Sequence, residues 1–308
     1  MDVMDATRVF LRVAELSSFT AAASALSVPR ASVSAAVQQL EERLGTRLLQ
    51  RTTRRVTLTR DGEIFYARAR DLLDDFEELA SLFHGEDAPL SGRIRVDMSL
   101  GLADTVIEQL PTFLAAHPAL EIEFSSTDRM VDVVREGFDC VVRAGTRVDS
   151  GLIARPLGAY PMINCVSAGY AAAHGVPKTL EDLRHHRLVR YSLTLGVSAD
   201  GFEYVDPVSG AVHEVATPGV ITVNGSTTYS AACRAGLGII QTPRVGLHEE
   251  LRAGTLVEVL PAFRAAPLPI ALVYPDRRHM PRRVRAFMEF LAGIVSRQIE
   301  SDARLAAR

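Results

Sequence analysis

The sequence predicts an α/β protein of more than one domain, and three observations carry that prediction. Apolar residues recur at helical spacing from the start of the chain, and a cluster of arginines follows between Arg30 and Arg60. An acidic stretch from Asp61 to Phe83 then carries a heptad-like apolar seam. From Arg93 onward, β-rich runs alternate with helical ones, the pattern of an α/β fold with parallel strands. A chain of 308 residues suits about two domains. Its 47% hydrophobic and 23% charged residues are ordinary for a folded protein, whereas disorder needs fewer apolar residues and more net charge.

The first elements are short helices. Asp5 to Leu16 reads as a helix with Phe10, Val13 and Ala14 on one face. Ser18 is placed to cap a second, Ala-rich helix from Thr20 to Leu26, whose small side chains allow another helix to approach closely. Pro29 suits the first position of a third helix, since its missing N–H costs nothing there. That helix runs to about Leu44 with Val33, Val37, Leu40 and Leu44 inward, and Gly45 is its natural C-cap. Its outer face carries Pro29, Arg30, Ala31, Ser32, Ser34, Ala35 and Gln38, short or hydrogen-bonding side chains with one long cation, which fit against base edges in a major groove. "RLLQRTTRRVTLT" then reads as a two-stranded wing whose tip lies at Thr53-Arg54-Arg55.

Charge supports the same reading. The net charge of −3 hides a polarised N-terminal third: seven arginines against Glu41 and Glu42 make the segment from Arg30 to Arg60 +5, and seven acids against two arginines make Asp61 to Phe83 −5. A local basic patch on an acidic chain is the footprint of a polyanion. Arg43 and Arg47 can equally pair with nearby acids on a solvated helix face, but Arg51, Arg54 and Arg55 have no acidic neighbour in sequence. The nominated DNA contacts on the wing are Arg51, Thr52, Arg54 and Arg55.

At this point the segment from Thr7 to about Gly62 resembles the winged helix-turn-helix domain of the LysR-type transcriptional regulators. "FLRVAELSSFTAAASAL", "VSAAVQQLEERLGTRLLQRTTRRVTLT" and the following "DG" carry the resemblance in order. The family commonly has Ser-Gln where Pro29-Arg30 stand here, so its base preference does not transfer, and Arg30 favours guanine. Phe65, Ala69, Leu72, Phe76, Leu79 and Phe83 are spaced 4, 3, 4, 3, 4 on one helix, a coiled-coil seam, with an ordinary core face as the alternative. The resemblance likewise implies a linker helix that dimerises. It further implies double-stranded operator DNA with an interrupted inverted repeat, a homodimer that pairs into a homotetramer, and RNA polymerase as a further partner.

The C-terminal two-thirds resemble the same family by order of elements. That implies an effector domain like a periplasmic binding protein, with two α/β subdomains and crossovers near Cys165 and Ala265. The expected organisation is a DNA-binding domain over 1–60, a dimerisation helix and hinge over 61–91, and an effector domain over 92–303. Subdomain I of the latter takes 92–164 and 266–303, and subdomain II takes 165–265. Ligands in such folds sit at strand C-termini. Ser99-Leu100, Ser126-Thr127, Arg143 and Asn224-Gly225-Ser226-Thr227 fall at such ends, a hydroxyl-rich set with one cation that suits a small organic acid or a polar aromatic. The same Ser and Thr residues are also ordinary N-caps, and Arg143 can equally pair with Asp139 or another surface acid.

Rival classes are an enzyme or a solute-binding protein acting on a small organic acid. No G-x-S-x-G elbow occurs, "GLG" at Gly236 to Gly238 lacks a full dinucleotide fingerprint, and His185-His186 are adjacent without a matched third ligand. No catalytic set, metal site or cofactor is expected. Cys140, Cys165 and Cys233 are odd in number and far apart, so each reads as a small buried hydrophobe. "MDVMDATRVF" holds no basic region ahead of a long apolar run, and no stretch reaches the roughly 18 apolar residues of a membrane helix, so a cytoplasmic protein is expected, with no membrane partner.

Overall fold

The computed structural model describes residues 2–51, 56–81, 89–145, 151–196, 201–276 and 280–306. The chain forms two compact units, Met1–Arg93 and Ile94–Arg308.

The first unit opens with α1 (Val3–Leu16), α2 (Phe19–Leu26) and α3 (Arg30–Leu44). Asp2 caps α1, and the Ser18 side chain accepts from Ala21 N–H to cap α2, as its position predicts. Ser27 adopts a left-handed φ of 56° to make the tight turn between α2 and α3. Pro29 is the N-cap of α3, one residue earlier than expected: its φ of −60° suits a helix, but its ψ of 142° keeps it extended. The hairpin β1 (Leu49–Arg51) and β2 (Val56–Leu58) pairs antiparallel, and its tip, Thr52 to Arg55, lies outside the described residues. The helix α4 (Arg60–Ser81) follows. Gly62 is required at its start because a Cβ there would overlap the Leu48 carbonyl. The Thr59 hydroxyl accepts from Gly62 N–H and donates to the Arg47 carbonyl, fastening α4 to the hairpin.

Phe10, Val13, Val33, Val37, Leu40 and Leu48 are buried in one core, with Phe65 of α4 packed against it and its ring edge-on to Phe10 at 5.4 Å. Leu44, expected inward, is 43% exposed, because Leu48 and Leu49 of the returning chain fill the core beyond Leu40.

The second unit runs β3 (Ser91–Met98), α5 (Leu100–Ala116), β4 (Ala119–Ser126), β5 (Cys140–Ala144), β6 (Leu152–Tyr160), β7 (Met162–Ser167) and α6 (Ala168–His174), then a 3₁₀ turn over Leu180–His185. It continues with β8 (Leu188–Tyr191), β9 (Phe202–Val205), β10 (Val212–Val215), β11 (Gly219–Val223), α7 (Ser226–Arg234), β12 (Ile240–Pro243), α8 (His248–Arg252), β13 (Leu256–Glu258), β14 (Leu268–Pro275) and α9 (Arg282–Ala306). Among the described residues one sheet has the order β4-β3-β5-β14-β6 and another β12-β7-β13, with β11 and β8 paired beside the latter through a Leu188–Ile239 bridge. The chain passes to the second sheet at Pro161, so Met162 to Cys165 already belong to its strand β7, slightly before the expected crossover. It returns between Glu258 and Leu268.

Two expectations change here. The strands are not all parallel: β3 and β5 are parallel, but β14 is antiparallel to β5 and β6, and the β12-β7-β13 sheet is antiparallel throughout. The run "MVDVVREG", Met130 to Gly137, reads as a helix in the sequence but is a set of turns, since Val131 and Val133, two apart, are the ones buried, with Phe138. β6, the β9–β10 hairpin and α8 were not read from the sequence. The sequence reads as a helix from Pro281 to Ile299 with Val284, Phe287, Met288, Leu291 and Val295 inward; α9 buries all five and runs on to Ala306. Phe113 of α5 meets Phe287 and Phe290 of α9 at 5.4 and 4.7 Å. All three cysteines are buried, and burial raises the Cys140 thiol well above its ordinary value. His186 is buried beside the Tyr170 hydroxyl and its pKa is lowered by desolvation, whereas His185 is exposed. No described helix is long and apolar enough to cross a membrane.

Phe10→Ala is expected to cost the N-terminal unit about 3–5 kcal/mol, the usual range for an emptied aromatic core site. Urea unfolding of the whole chain, followed by a probe in that unit, measures it; a change below about 1 kcal/mol contradicts this packing.

Candidate nucleic-acid interface and ligand cleft

In the first unit, α3 turns Val33, Ala36, Val37 and Leu40 into the core, which forces the opposite face outward. Pro29, Arg30, Ala31, Ser32, Ala35 and Gln38 are exposed and Ser34 is half-buried, so the seven nominated residues lie together at the open end of one helix. The two acids of the basic segment hydrogen-bond to neutral groups. Glu41 accepts from Leu48 and Leu49 N–H at 2.8 and 3.0 Å, locking the hairpin to α3, and Glu42 accepts from the Gln38 amide at 2.9 Å. Arg51 ends β1; Thr52, Arg54 and Arg55 lie outside the described residues.

On α4 the expected seam divides in two. Ala69 and Leu73 turn into the core of the winged helix, and Phe65, half-buried, packs against that core within its own unit. Leu72, Phe76 and Leu79 point away from it and are 58%, 48% and 54% exposed, with Ile64 also exposed. The reason is geometric: a helix of 22 residues turns its N-terminal half against α1, leaving the seam to the half beyond. Phe83 lies outside the described residues.

In the second unit, three of the four nominated loops converge. Ser99 is the N-cap of α5 and Leu100 its first residue. Thr127 continues from β4, its N–H donating to the Met98 carbonyl and its hydroxyl accepting from Arg129 N–H. Gly225 is the N-cap of α7, which begins at Ser226 and Thr227. The Asp128 carboxylate lies between the two helices, accepting from Leu100 N–H at 3.0 Å and from Ser226 N–H at 2.5 Å. The Tyr191 hydroxyl meets the same carboxylate; its pKa is raised first by burial and then by the Asp128 charge. Ser226 Oγ is buried without a hydrogen-bond partner, while Ser126, Asn224 and Thr227 are exposed.

Arg143 does not follow the expectation of a cation open to a ligand. It is buried, bonded to Asp97 of β3 and to its own neighbour's carbonyl, Val142. Asp97 is fully buried, and neither Asp139 nor a surface acid takes its place: Asp139 instead accepts from Arg95 N–H. Parallel pairing of β3 and β5 sets Asp97 beside Val141 and Asp97 within reach of Arg143, a proximity of residues far apart in sequence. Asp97, Asp128 and Tyr191 were missed in the sequence. Asp128 directly follows Thr127, and nothing in its local sequence distinguishes it from a solvated surface carboxylate. A cavity of about 410 Å³ lies elsewhere, lined by Arg190, Gly201, Glu214 and Thr217 among others, and none of the nominated residues borders it.

Arg143→Met leaves the Asp97 carboxylate buried without its cation and is expected to cost about 3–5 kcal/mol, much of which Asp97→Leu in the same chain recovers. Urea unfolding measures both; a single variant as stable as the parent shows that the pair is not what holds β3 to β5.

With this geometry in place, comparison with known proteins identifies the family. Residues 4–63 match the family described as "Bacterial regulatory helix-turn-helix protein, lysR family", and residues 87–294 match the "LysR substrate binding domain". The chain is 48% identical over 97% of its length, and 100% of the other, to YhjC, described as an uncharacterized HTH-type transcriptional regulator of Escherichia coli (strain K12). It is 30% identical to the HTH-type transcriptional activator AaeR of the same organism, covering 94% of this chain and 93% of that one. Among solved structures it is similar to full-length AphB, a Vibrio cholerae virulence activator, at 30% identity and a TM-score of 0.57, covering 95% of this chain and 99% of that one. It is also similar to CrgA of Neisseria meningitidis, at 26% identity and a TM-score of 0.59, covering 94% and 98%. The helix-turn-helix unit and the α/β regulatory unit thus both find their counterparts, and the chain belongs to the LysR family of transcriptional regulators.

Proposed function

We propose that the chain binds operator DNA through the exposed face of α3 and the wing, as a homodimer joined along α4. A small polar effector, an organic acid or a polar aromatic, binds between the halves of the C-terminal unit and controls that binding. The observation that carries the DNA-binding part is the α3 face: short polar residues and Arg30 stand clear at the end of a helix whose other side is buried. Such a face enters a major groove, where an arginine pairs with guanine. The wing arginines Arg51, Arg54 and Arg55 then take phosphate or minor groove.

The dimer reading draws on Leu72, Phe76 and Leu79, large apolar side chains left in water on a helix otherwise dense in charge. We assign residues 1–60 to DNA, 61–91 to the dimer helix and hinge, and 92–303 to the effector. Two winged helices on a dimer match an interrupted inverted repeat. Pairing of dimers into a tetramer, contact with RNA polymerase and a cytoplasmic location complete the proposal. The cleft reading draws on the convergence of Ser99, Leu100, Thr127, Ser226 and Thr227, where hydroxyls and helix N-termini collect. A ligand that prefers one arrangement of the two halves shifts the population of that arrangement.

Arg30→Ala is expected to relax base preference at a single operator position, costing about 1–3 kcal/mol there and little elsewhere. Selection from randomised sites tests this, and recovery of an unchanged motif refutes the role. Leu72→Asp with Leu79→Asp is expected to separate the subunits and abolish tight operator binding. Light scattering that still finds the parent assembly places the dimer contact elsewhere.

A further inference from the structure

The α5 and α7 N-termini face one another across the halves of the C-terminal unit, and each presents an N–H that its own helix leaves without a carbonyl. Neither helix supplies a capping side chain: Ser99 and Gly225 make no side-chain cap hydrogen bond. Both N–H groups are instead met by one carboxylate, Asp128, through its two separate oxygens, Oδ1 to Leu100 and Oδ2 to Ser226. Leu100 lies on the first half and Ser226 on the second, so this residue ties them together.

Its position is fixed from both sides. Thr127 N–H is anchored on the Met98 carbonyl, and the Arg129 guanidinium is bidentate on Glu136 at 2.9 and 2.5 Å. The place where two helix dipoles most favour an anion is therefore filled by the chain itself. An incoming carboxylate meets a like charge already seated on the N–H groups it needs, and it must either displace Asp128 or sit beside it without compensation. Arg143, the cation that offsets such a charge in the sequence-based reading, is committed to Asp97.

We propose that Asp128 is an internal latch between the two halves of the regulatory unit and the residue that sets ligand specificity there. It excludes carboxylate effectors and favours a neutral or cationic polar molecule, one with an N–H or O–H donor for Asp128. The buried, unpartnered Ser226 Oγ supplies a hydrogen bond to the same molecule. This rests on the reading of the cleft as the effector site and selects, from the two ligand classes proposed above, against the organic acid.

The test uses the full-length protein, with sodium acetate and ethylammonium chloride as probes against sodium chloride at equal ionic strength. Thermal unfolding of the C-terminal unit and a footprint on selected operator DNA are read together. Asp128→Ala is expected to lower the midpoint by roughly 4 °C, and acetate is expected to restore most of it by filling the vacated seat. In the parent protein acetate is expected to do no more than chloride, whereas ethylammonium raises the midpoint and alters the footprint. Acetate that stabilises the parent as much as Asp128→Ala, or that fails to recover Asp128→Ala, overturns the latch. Should Asp128→Ala not fold, the parent protein decides alone: stabilisation by acetate and not by ethylammonium overturns the specificity. Acetate rescue of Asp128→Ala with no response of the footprint to either probe upholds the latch and removes the cleft as the regulatory site, so the two readings fail separately.

Discussion

The halves of the regulatory unit are joined at a point where one carboxylate satisfies two helices. A helix N-terminus carries unpaired N–H groups and a partial positive charge, and two of them set face to face repel unless an anion stands between. Asp128 is that anion. The arrangement of the surrounding loops depends on it: Ser99 and Gly225 are relieved of capping, Tyr191 leans on the same carboxylate, and Thr127 and Arg129 are each pinned by a neighbour. Because a charge-assisted hydrogen bond is stronger than a neutral one, this one side chain strengthens the junction between the two halves.

The two sheets have distinct ways of burying charge and polarity. In the first, Asp97 and Arg143 neutralise each other on adjacent parallel strands. In the second, β7 is buried on both faces, with Ile163 and Cys165 in one core and Val166 in another. Asn164, fully buried on that strand, donates to the Leu260 and Phe263 carbonyls and accepts from the Gln241 amide, so the polar group in the middle of the strand is satisfied. A further tie comes from Asp302 near the end of α9, which accepts from Arg244 and contacts His248 of α8, reaching from the C-terminal helix to the β12–α8 segment.

Local patterns were legible where one physical rule acted alone. α1, α2 and α9 follow from apolar spacing, Ser18 from capping, Gly45 from glycine's freedom to take the left-handed C-cap conformation it adopts here, and β4 and β14 from the compact β-rich runs "ALEIEFSS" and "LPIALVYP". The reading weakened where two rules competed. Residues 130–137 carry a helical rhythm but contain Asp132 and Glu136, whose side chains accept from nearby backbone N–H groups and favour turns. β6 holds Pro156 and Gly158 and alternates little, so it is recognisable only by its long pairing with β14.

The sequence by itself determined the winged helix, the basic and acidic division of the N-terminal third and the α/β order of the remainder, because helix periodicity, capping and local charge are properties of neighbours along the chain. It also marked the loops at the strand ends, since Ser, Thr, Asn and Gly gather there. Tertiary structure alone decided which groups in those loops remain available. Arg143 is closed off by an aspartate 46 residues away, and the seat for an anion is taken by Asp128, which reaches α7 98 residues further on. The same holds for α4, where one apolar stripe was split between the domain core and solvent. Pairing across such separations follows from how strands and helices pack, and no spacing in the linear chain encodes it.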